Sequence, residues 1–202
     1  GQNFINPALI GRAFLVAAYP TQTTGAAFAT GRMVTDASTY ATPLAELKAG
    51  TAIVNADAIK NALIGNIGGT IGETCAIALI IGGIYLLIKH VISWRIPVVY
   101  IVVVFILTSL MRGNGFLGGV YEIFCGGLML GAIFMATDYV TSPISAKGQI
   151  IFAIGCGVLT SLIRVYGGYP EGVSYSILIM NLAVPLIDRV TRPRIFGEVK
   201  AK

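Results

Sequence analysis

The chain has 202 residues, of which 55% are hydrophobic and only 11% are charged, and its mean hydropathy is +0.81. This balance excludes an ordinary soluble domain and indicates an integral membrane protein. The net charge of +5 comes from basic residues that flank the apolar segments and suit anionic lipid headgroups. We therefore expect membrane lipid, and not nucleic acid, as a partner.

The first third of the chain contains no apolar run long enough to cross a membrane. Asn6-Pro7 predicts the start of a helix that ends at Tyr19-Pro20. At about a dozen residues this helix is too short to span, so we expect it at the membrane surface or at the end of a re-entrant segment. Residues 21–41 are rich in Thr, Gly and Ala without a regular period, which predicts an ordered loop.

Two short helices are predicted next. Thr42 caps the first, Pro43 takes its first position and Gly50 ends it, whereas Asn55 caps the second, which ends at Gly65. Capping is the ordinary explanation for Thr42. A hydroxyl at a helix N-terminus also suits a phosphate, because free backbone N–H groups and the helix dipole stabilise an anion. The local pattern leaves both explanations open.

Five apolar runs follow, each bounded by charge, Gly or Pro. They cover residues 74–89, 96–111, 116–136, 149–165 and 173–187. A helix needs about 20 residues to cross the hydrocarbon layer, and backbone groups in lipid must be hydrogen-bonded within their own segment. These runs are therefore predicted as transmembrane helices.

Small residues at fixed spacing indicate how these helices pack. Gly115 and Gly119, and again Gly127 and Gly131, have the GxxxG spacing that lets helix backbones approach closely. The predicted fold is an all-α integral membrane protein with a bundle of five transmembrane helices behind an outer-face segment. Because many membrane folds pair two related bundles, five spans also suggest half of a larger inverted-repeat bundle, with further chain before Gly1.

The basic residues predict the orientation. If five helices alternate, only Arg112 and Arg164 fall on one side, and eight basic residues fall on the other. Those eight are Lys89, Arg95, Lys147, Arg189, Arg192, Arg194, Lys200 and Lys202. The positive-inside rule then places the C-terminus in the cytoplasm and Thr42 on the outer face of the inner cell membrane.

This orientation divides the chain into three predicted regions. Residues 1–72 form an outer-face and interfacial segment, residues 73–189 form the five-helix bundle, and residues 190–202 form a basic cytoplasmic tail.

Few polar side chains inside the apolar runs are candidates for chemistry. Glu122 is the acidic residue placed most clearly within a span, where an ionisable group is costly, so it is a candidate for an ion pathway. The alternative is an interfacial residue at a helix start. Cys75, Cys125 and Cys156 occur singly, without metal-site spacing, and we predict no metal site.

Several distinct short motifs are distributed along nearly the whole chain. They are Asn6-Pro7-Ala8-Leu9, Gly11-Arg12-Ala13-Phe14, Asp36 through Thr42-Pro43-Leu44, Gly68-Gly69-Thr70-Ile71-Gly72-Glu73, Trp94-Arg95-Ile96-Pro97, Phe134-Met135-Ala136-Thr137-Asp138, Gly167-Gly168-Tyr169-Pro170-Glu171-Gly172 and Pro185-Leu186-Ile187-Asp188. This set resembles the D subunit of the Rnf ion-translocating electron transport complex, which is related to the B subunit of the sodium-pumping NADH:quinone reductase.

The resemblance implies a covalent flavin. In that family FMN is joined by a phosphoester to a threonine that ends a short motif, and the matching residue here is Thr42. Tyr40 stands where the motif usually has Gly, and Tyr139 stands where the family often has Pro. Further candidates for the flavin site are Arg12 as a phosphate partner, Thr39 as a hydrogen-bonding neighbour, and the outer loop Gly168 to Glu171 as a wall.

The resemblance also implies that the chain is a subunit of an ion-translocating oxidoreductase and is not catalytic alone. Electrons would pass from reduced ferredoxin toward NAD through carriers on several subunits, with Na⁺ or H⁺ driven outward. The implied partners are the other subunits of the complex, and a second, noncovalent flavin such as riboflavin is suggested near this subunit. Two alternatives stay open on composition alone: a channel or solute permease, and a membrane anchor without a cofactor.

Overall fold

The computed structural model describes residues 3–19, 42–69, 72–113, 115–168 and 172–191. All regular secondary structure within these residues is helical. The predicted loop at residues 21–41 and the basic tail from residue 192 onward lie outside the described residues.

Nine helical segments follow one another in the described parts of the chain. They are α1 (Pro7–Ala18), α2 (Pro43–Ala49), α3 (Ala56–Ile64), α4 (Ala76–Ile88), α5 (Arg95–Arg112), α6 (Gly115–Phe124), α7 (Leu128–Met135), α8 (Ala146–Tyr166) and α9 (Val173–Thr191).

Three helices are long and apolar enough to cross a membrane, namely α5, α8 and α9. They match three of the five predicted spans. The predicted span at residues 74–89 corresponds to α4, whose 13 residues extend about 20 Å at 1.5 Å per residue, less than the roughly 30 Å of a hydrocarbon core. A bundle of five spans, and its relation to an inverted repeat, therefore stay predictions.

The predicted span at residues 116–136 is a bent pair of helices. α6 and α7 meet at an angle of 66°, and we call this pair the bent span. Three residues lie between the two helices. The middle one, Gly126, has a φ of 68°, and a Cβ there would collide with the Leu44 side chain from α2. Glycine is required because an L side chain disfavours this φ and would occupy the space that Leu44 fills.

The apolar core lies where α5, α8 and α9 meet. Tyr100, Val104, Phe152 and Cys156 are fully buried there. Tyr100 and Thr160 share a hydrogen bond of 2.6 Å between their hydroxyl oxygens, which pairs two polar groups inside the bundle. Close approach of the helices is possible because Gly157 faces Val103, whose Cγ1 is 2.6 Å from the position a Cβ would take.

Two of the four glycines predicted to form packing seams lie at contacts between helices. A Cβ at Gly119 would collide with Ser109 and Phe105 of α5, and one at Gly131 would collide with Val173 of α9. Gly127 faces the Glu73 carboxylate, and Gly115 has open space around it. The GxxxG prediction thus holds for helix contacts at Gly119 and Gly131, whereas Gly127 makes room for a charged side chain.

Helix α1 is packed into the bundle. Asn6 caps it by accepting hydrogen bonds from the N–H groups of Ala8 and Leu9, as the Asn-Pro pattern predicts. Leu9 is 1% exposed and belongs to the same core as Phe152, whereas Phe14 is 69% exposed. Helix α1 thus contacts the bundle through Leu9, and its position at the membrane surface or in a re-entrant segment stays a prediction. The predicted boundary at residue 72 stays a prediction.

Candidate functional site

Thr42 caps helix α2 as the sequence predicts. Its backbone is extended, with φ −68° and ψ 148°, and its Oγ1 accepts a hydrogen bond of 3.4 Å from the N–H of Ala45. Pro43 occupies the first helical position, and Gly50 ends the helix with a left-handed φ of 72°. The side chain of Thr42 is half-buried. The predicted bounds of α2 are confirmed, and so are those of α3, from Asn55 to Gly65.

The helix that Thr42 opens rests on the bent span. Leu44 and Leu47 are buried with Tyr121 of α6, Cys125 just beyond its end and Ala62 of α3. Leu44 fills the space at the Gly126 turn. A helix of seven residues is unstable in isolation, so these tertiary contacts decide where α2 lies. The position of Thr42 relative to the bend is thereby set by the packing of α2.

A buried cluster of charges lies beneath α2, and we call it the arginine cluster: Arg112, Glu122 and Arg164. Nε of Arg112 lies 2.7 Å from Oε1 of Glu122, and Nη1 of Arg164 lies 3.9 Å from Oε2. Arg164 is fully buried and Glu122 is 2% exposed. Among the described residues, two guanidinium groups thus face the Glu122 carboxylate.

Both arginines also bind backbone carbonyl groups. Arg164 donates to the carbonyl oxygens of Glu122 at 2.8 Å and Cys125 at 3.3 Å, which are groups near the end of α6. Arg112 donates to the carbonyl oxygens of Leu47 at 3.0 Å and Arg164 at 3.0 Å. Carbonyl groups at a helix end have no partner within the helix. Arg164 thus supplies hydrogen bonds that the break in the span would otherwise leave unmade.

A second buried carboxylate lies on the other side of the bend. Glu73 is 3% exposed, and its Oε1 lies 2.9 Å from the position that a Cβ would take at Gly127. Its carboxylate forms an ion pair with Arg12 of α1. Arg12 was predicted to bind the flavin phosphate, and the structure gives it a protein carboxylate as a partner. The phosphate role stays a prediction.

Of the remaining predicted site residues, the structure describes Gly168. Gly168 lies close to the far end of α2, because the ammonium group of Lys48 donates to the carbonyl oxygens of Gly167 and Gly168, the latter at 3.1 Å. The structure thus joins the start of the predicted wall to the Thr42 helix. Thr39 and Glu171 lie outside the described residues.

Glu122 was identified from the sequence as a candidate, but its partners were not. Arg112 and Arg164 entered the sequence analysis only as charges that predict the orientation. A signal was present, since an arginine within an apolar helix is costly and generally pairs inside the bundle. The structure adds that Glu122 faces two guanidinium groups. Its role in an ion pathway stays a prediction.

Comparison with known proteins gives a consistent result. The family model of NQR2, RnfD and RnfE matches residues 1–197. The chain is 52% identical over 203 residues to the D subunit of the Na⁺-translocating ferredoxin:NAD⁺ oxidoreductase complex of Acetobacterium woodii, covering 100% of this chain and 62% of the relative. It is 49% identical over 207 residues to the D subunit of the proton-translocating ferredoxin:NAD⁺ oxidoreductase complex of Clostridium ljungdahlii, covering 98% of this chain and 62% of that one.

A more distant relative extends the comparison. The chain is 38% identical over 230 residues to the D subunit of the ion-translocating oxidoreductase complex of Stutzerimonas stutzeri, covering 98% of this chain and 64% of the relative. The chain thus spans a little less than two thirds of the length of these curated relatives. The match of the family model over nearly all residues means that the chain belongs to the NQR2, RnfD, RnfE family.

Proposed function

We propose that the chain is part of the flavin-bearing membrane subunit of a redox-driven ion pump of the ferredoxin:NAD oxidoreductase type. Family membership supports this proposal, as do two relatives at 52% and 49% identity whose names give that activity. One of them is named as translocating Na⁺ and the other as translocating protons. Similarity at this level therefore favours neither coupling ion.

The second part of the proposal is that Thr42 carries FMN through a phosphoester to its side-chain oxygen. The observation that carries it is the half-buried position of this hydroxyl on a helix anchored at both Leu44 and Leu47. In its cap, Oγ1 is an acceptor from Ala45. Ester formation removes the hydroxyl proton and leaves an oxygen that can still accept, so attachment is compatible with the cap.

Cationic groups near α2 support the placement of an anionic group there. The arginine cluster beneath it has two guanidinium groups that face Glu122, and Lys48 lies at the other end of the helix. Glu46 in the first turn is the opposing charge on α2 itself. When bound, FMN would supply the electron-transfer chemistry, whereas the protein fixes its position and its electrostatic surroundings. We assign Arg12, Thr39, Gly168 and Glu171 to the neighbourhood of the flavin. A second, noncovalent flavin such as riboflavin belongs to the same proposal.

The proposed setting is the inner cell membrane, with Thr42 on the outer face and the C-terminus in the cytoplasm. The proposed partners are the other subunits of an Rnf-type complex. Lipid contact is supported by large apolar side chains that point away from the bundle, such as Ile81, Leu110 and Leu186, which are 63%, 74% and 65% exposed.

The test is covalent flavin on the denatured protein. The complex is purified from a host that supplies the flavin transferase, denatured and run on a gel, and flavin fluorescence is expected to travel with the band of this protein. Thr42→Asn should abolish the fluorescence. Asparagine also caps helices, so this variant removes the attachment oxygen while keeping the cap.

Ser145→Ala is the matched control. Ser145 caps α8 by accepting from the N–H of Gly148 at 2.9 Å, so the variant loses a helix cap without touching Thr42. It should keep full fluorescence. A wild-type peptide around Thr42 that has its unmodified mass would contradict the flavin proposal and would favour a permease or a cofactor-free anchor.

A further inference from the structure

Arg112 has an unusual position for an arginine at a helix end in a membrane protein. Such residues commonly extend toward the interface, where the charged group is hydrated. Arg112 is the last residue of α5, yet its side chain is only 11% exposed and its guanidinium group points into the bundle. Its contacts reach α6 through Glu122, α2 through the Leu47 carbonyl and α8 through the Arg164 carbonyl. One side chain thus joins four helices.

The contact with α2 is directional, whereas most other contacts of that helix are not. Leu44 and Leu47 pack against apolar groups, and such packing tolerates small rotations and shifts. Lys48 binds the Gly168 carbonyl from an exposed position, where an interaction of a flexible charged side chain contributes little. The Arg112 hydrogen bond to the Leu47 carbonyl is partly buried. It therefore restricts the rotation and depth of α2 most strongly among these contacts.

Glu122 holds this guanidinium group in place. Its Oε1 is 2.7 Å from Nε of Arg112, an ion pair without hydrogen-bond geometry, while Nη1 donates to the Leu47 carbonyl and Nη2 to the Arg164 carbonyl. A carboxylate between two guanidinium groups is also a poor ligand for a mobile cation, since their positive charge opposes its approach. The geometry suits Glu122 for orienting Arg112.

We propose that Arg112 is a positioning residue that sets the orientation of α2, and thereby of the Thr42 side chain, relative to the bent span, with Glu122 orienting its guanidinium group. The placement of α2 is independent of any cofactor. The consequence for electron transfer rests on the proposed function, because a flavin on Thr42 would take its position from this helix.

The first experiment measures hydrogen exchange of the backbone amides of residues 45–51 in the purified complex. These include the N–H groups of Glu46 and Thr51, which donate to the Thr42 and Glu46 carbonyls. In Arg112→Gln we expect these amides to exchange about tenfold faster, since loss of a partly buried charged hydrogen bond lets α2 open more often. Glu122→Gln should give a smaller increase, and so should Arg112→Lys, because one ammonium group keeps the charge but cannot make all three contacts.

Arg95→Gln is the matched control, because Arg95 lies at the opposite end of the same helix and stacks near Trp94. It should leave exchange in residues 45–51 unchanged. Wild-type exchange in a folded Arg112→Gln complex would overturn the proposal. If Arg112→Gln does not assemble, amide exchange in Glu122→Gln and Arg112→Lys is the test. Faster exchange of residues 45–51 in these variants supports the proposal, and wild-type exchange in both overturns it.

The second experiment reads the flavin itself. In Arg112→Gln the visible circular dichroism and the midpoint potential of the bound flavin should shift, and Arg112→Lys should give a smaller shift in the same direction. If Arg112→Gln speeds amide exchange in residues 45–51 but leaves the flavin spectra and potential unchanged, Arg112 does not set the position of a flavin on Thr42. Absence of flavin from the wild-type protein would contradict the proposed function and leave the exchange experiment as the test of the positioning role.

Discussion

The α5–α8 seam and the bent span are held together by different kinds of contact. At the middle of the seam, Gly157 lets α8 approach Val103, and the Tyr100–Thr160 hydrogen bond lies among buried apolar side chains such as Val104 and Phe152. At the bend, Arg112 and Arg164 bind one carboxylate and four backbone carbonyl groups. The seam needs small size and apolar shape, and the bend needs particular chemical groups. We therefore expect the bend to be less tolerant of substitution.

The largest expected effect is at Arg164. Arg164→Leu replaces the guanidinium group with an apolar side chain. It removes the donors to the Glu122 and Cys125 carbonyls and one of the cations that face Glu122. Breaking a buried ion pair from one side costs about 3–5 kcal/mol. The measurement is thermal unfolding of the purified complex in detergent. Arg95→Leu is the control, and equal loss in both variants would contradict the special role of the bend.

A smaller loss is expected at the turn between α6 and α7. Gly126→Ala places a Cβ where Leu44 lies and imposes a φ of 68° on an L residue. Left-handed backbone costs about 1–2 kcal/mol and overpacking about 1–3 kcal/mol. Leu44→Ala alone should also destabilise the protein, because Leu44 is buried. The double variant should lose less stability than the sum of the two single losses, which thermal unfolding of all three variants measures. Additive losses would show that the Leu44 contact is unimportant.

The smallest effect is expected at the seam. Tyr100→Phe removes the hydrogen bond to Thr160 while keeping the ring, and buried hydrogen bonds between membrane helices contribute about 0.6 kcal/mol on average. The double variant Tyr100→Phe, Thr160→Val should be only slightly less stable to thermal unfolding than Tyr100→Phe, because no hydroxyl is then left without its partner. A loss as large as that of Arg164→Leu would mean that the seam and the bend do not differ in the way described.

Local patterns in the sequence predicted local structure well. The cap at Thr42, the proline at position 43 and the ends at Gly50 and Gly65 depend on neighbouring residues alone, so propensity rules suffice. Hydropathy likewise located α5, α8 and α9. It predicted residues 116–136 as one span, because the average composition of a window contains no information on the backbone angle at Gly126.

Composition, short spacings and extended similarity were enough to identify a helical membrane protein, the position of its long apolar helices and its family. The packing of the helices was needed to show that Leu44 fills the turn at Gly126 and that Arg112, Glu122 and Arg164 meet beneath α2. Glu122 and Arg164 are 42 positions apart in the chain. Their contact depends on how α6 and α8 pack, and no local propensity encodes that arrangement.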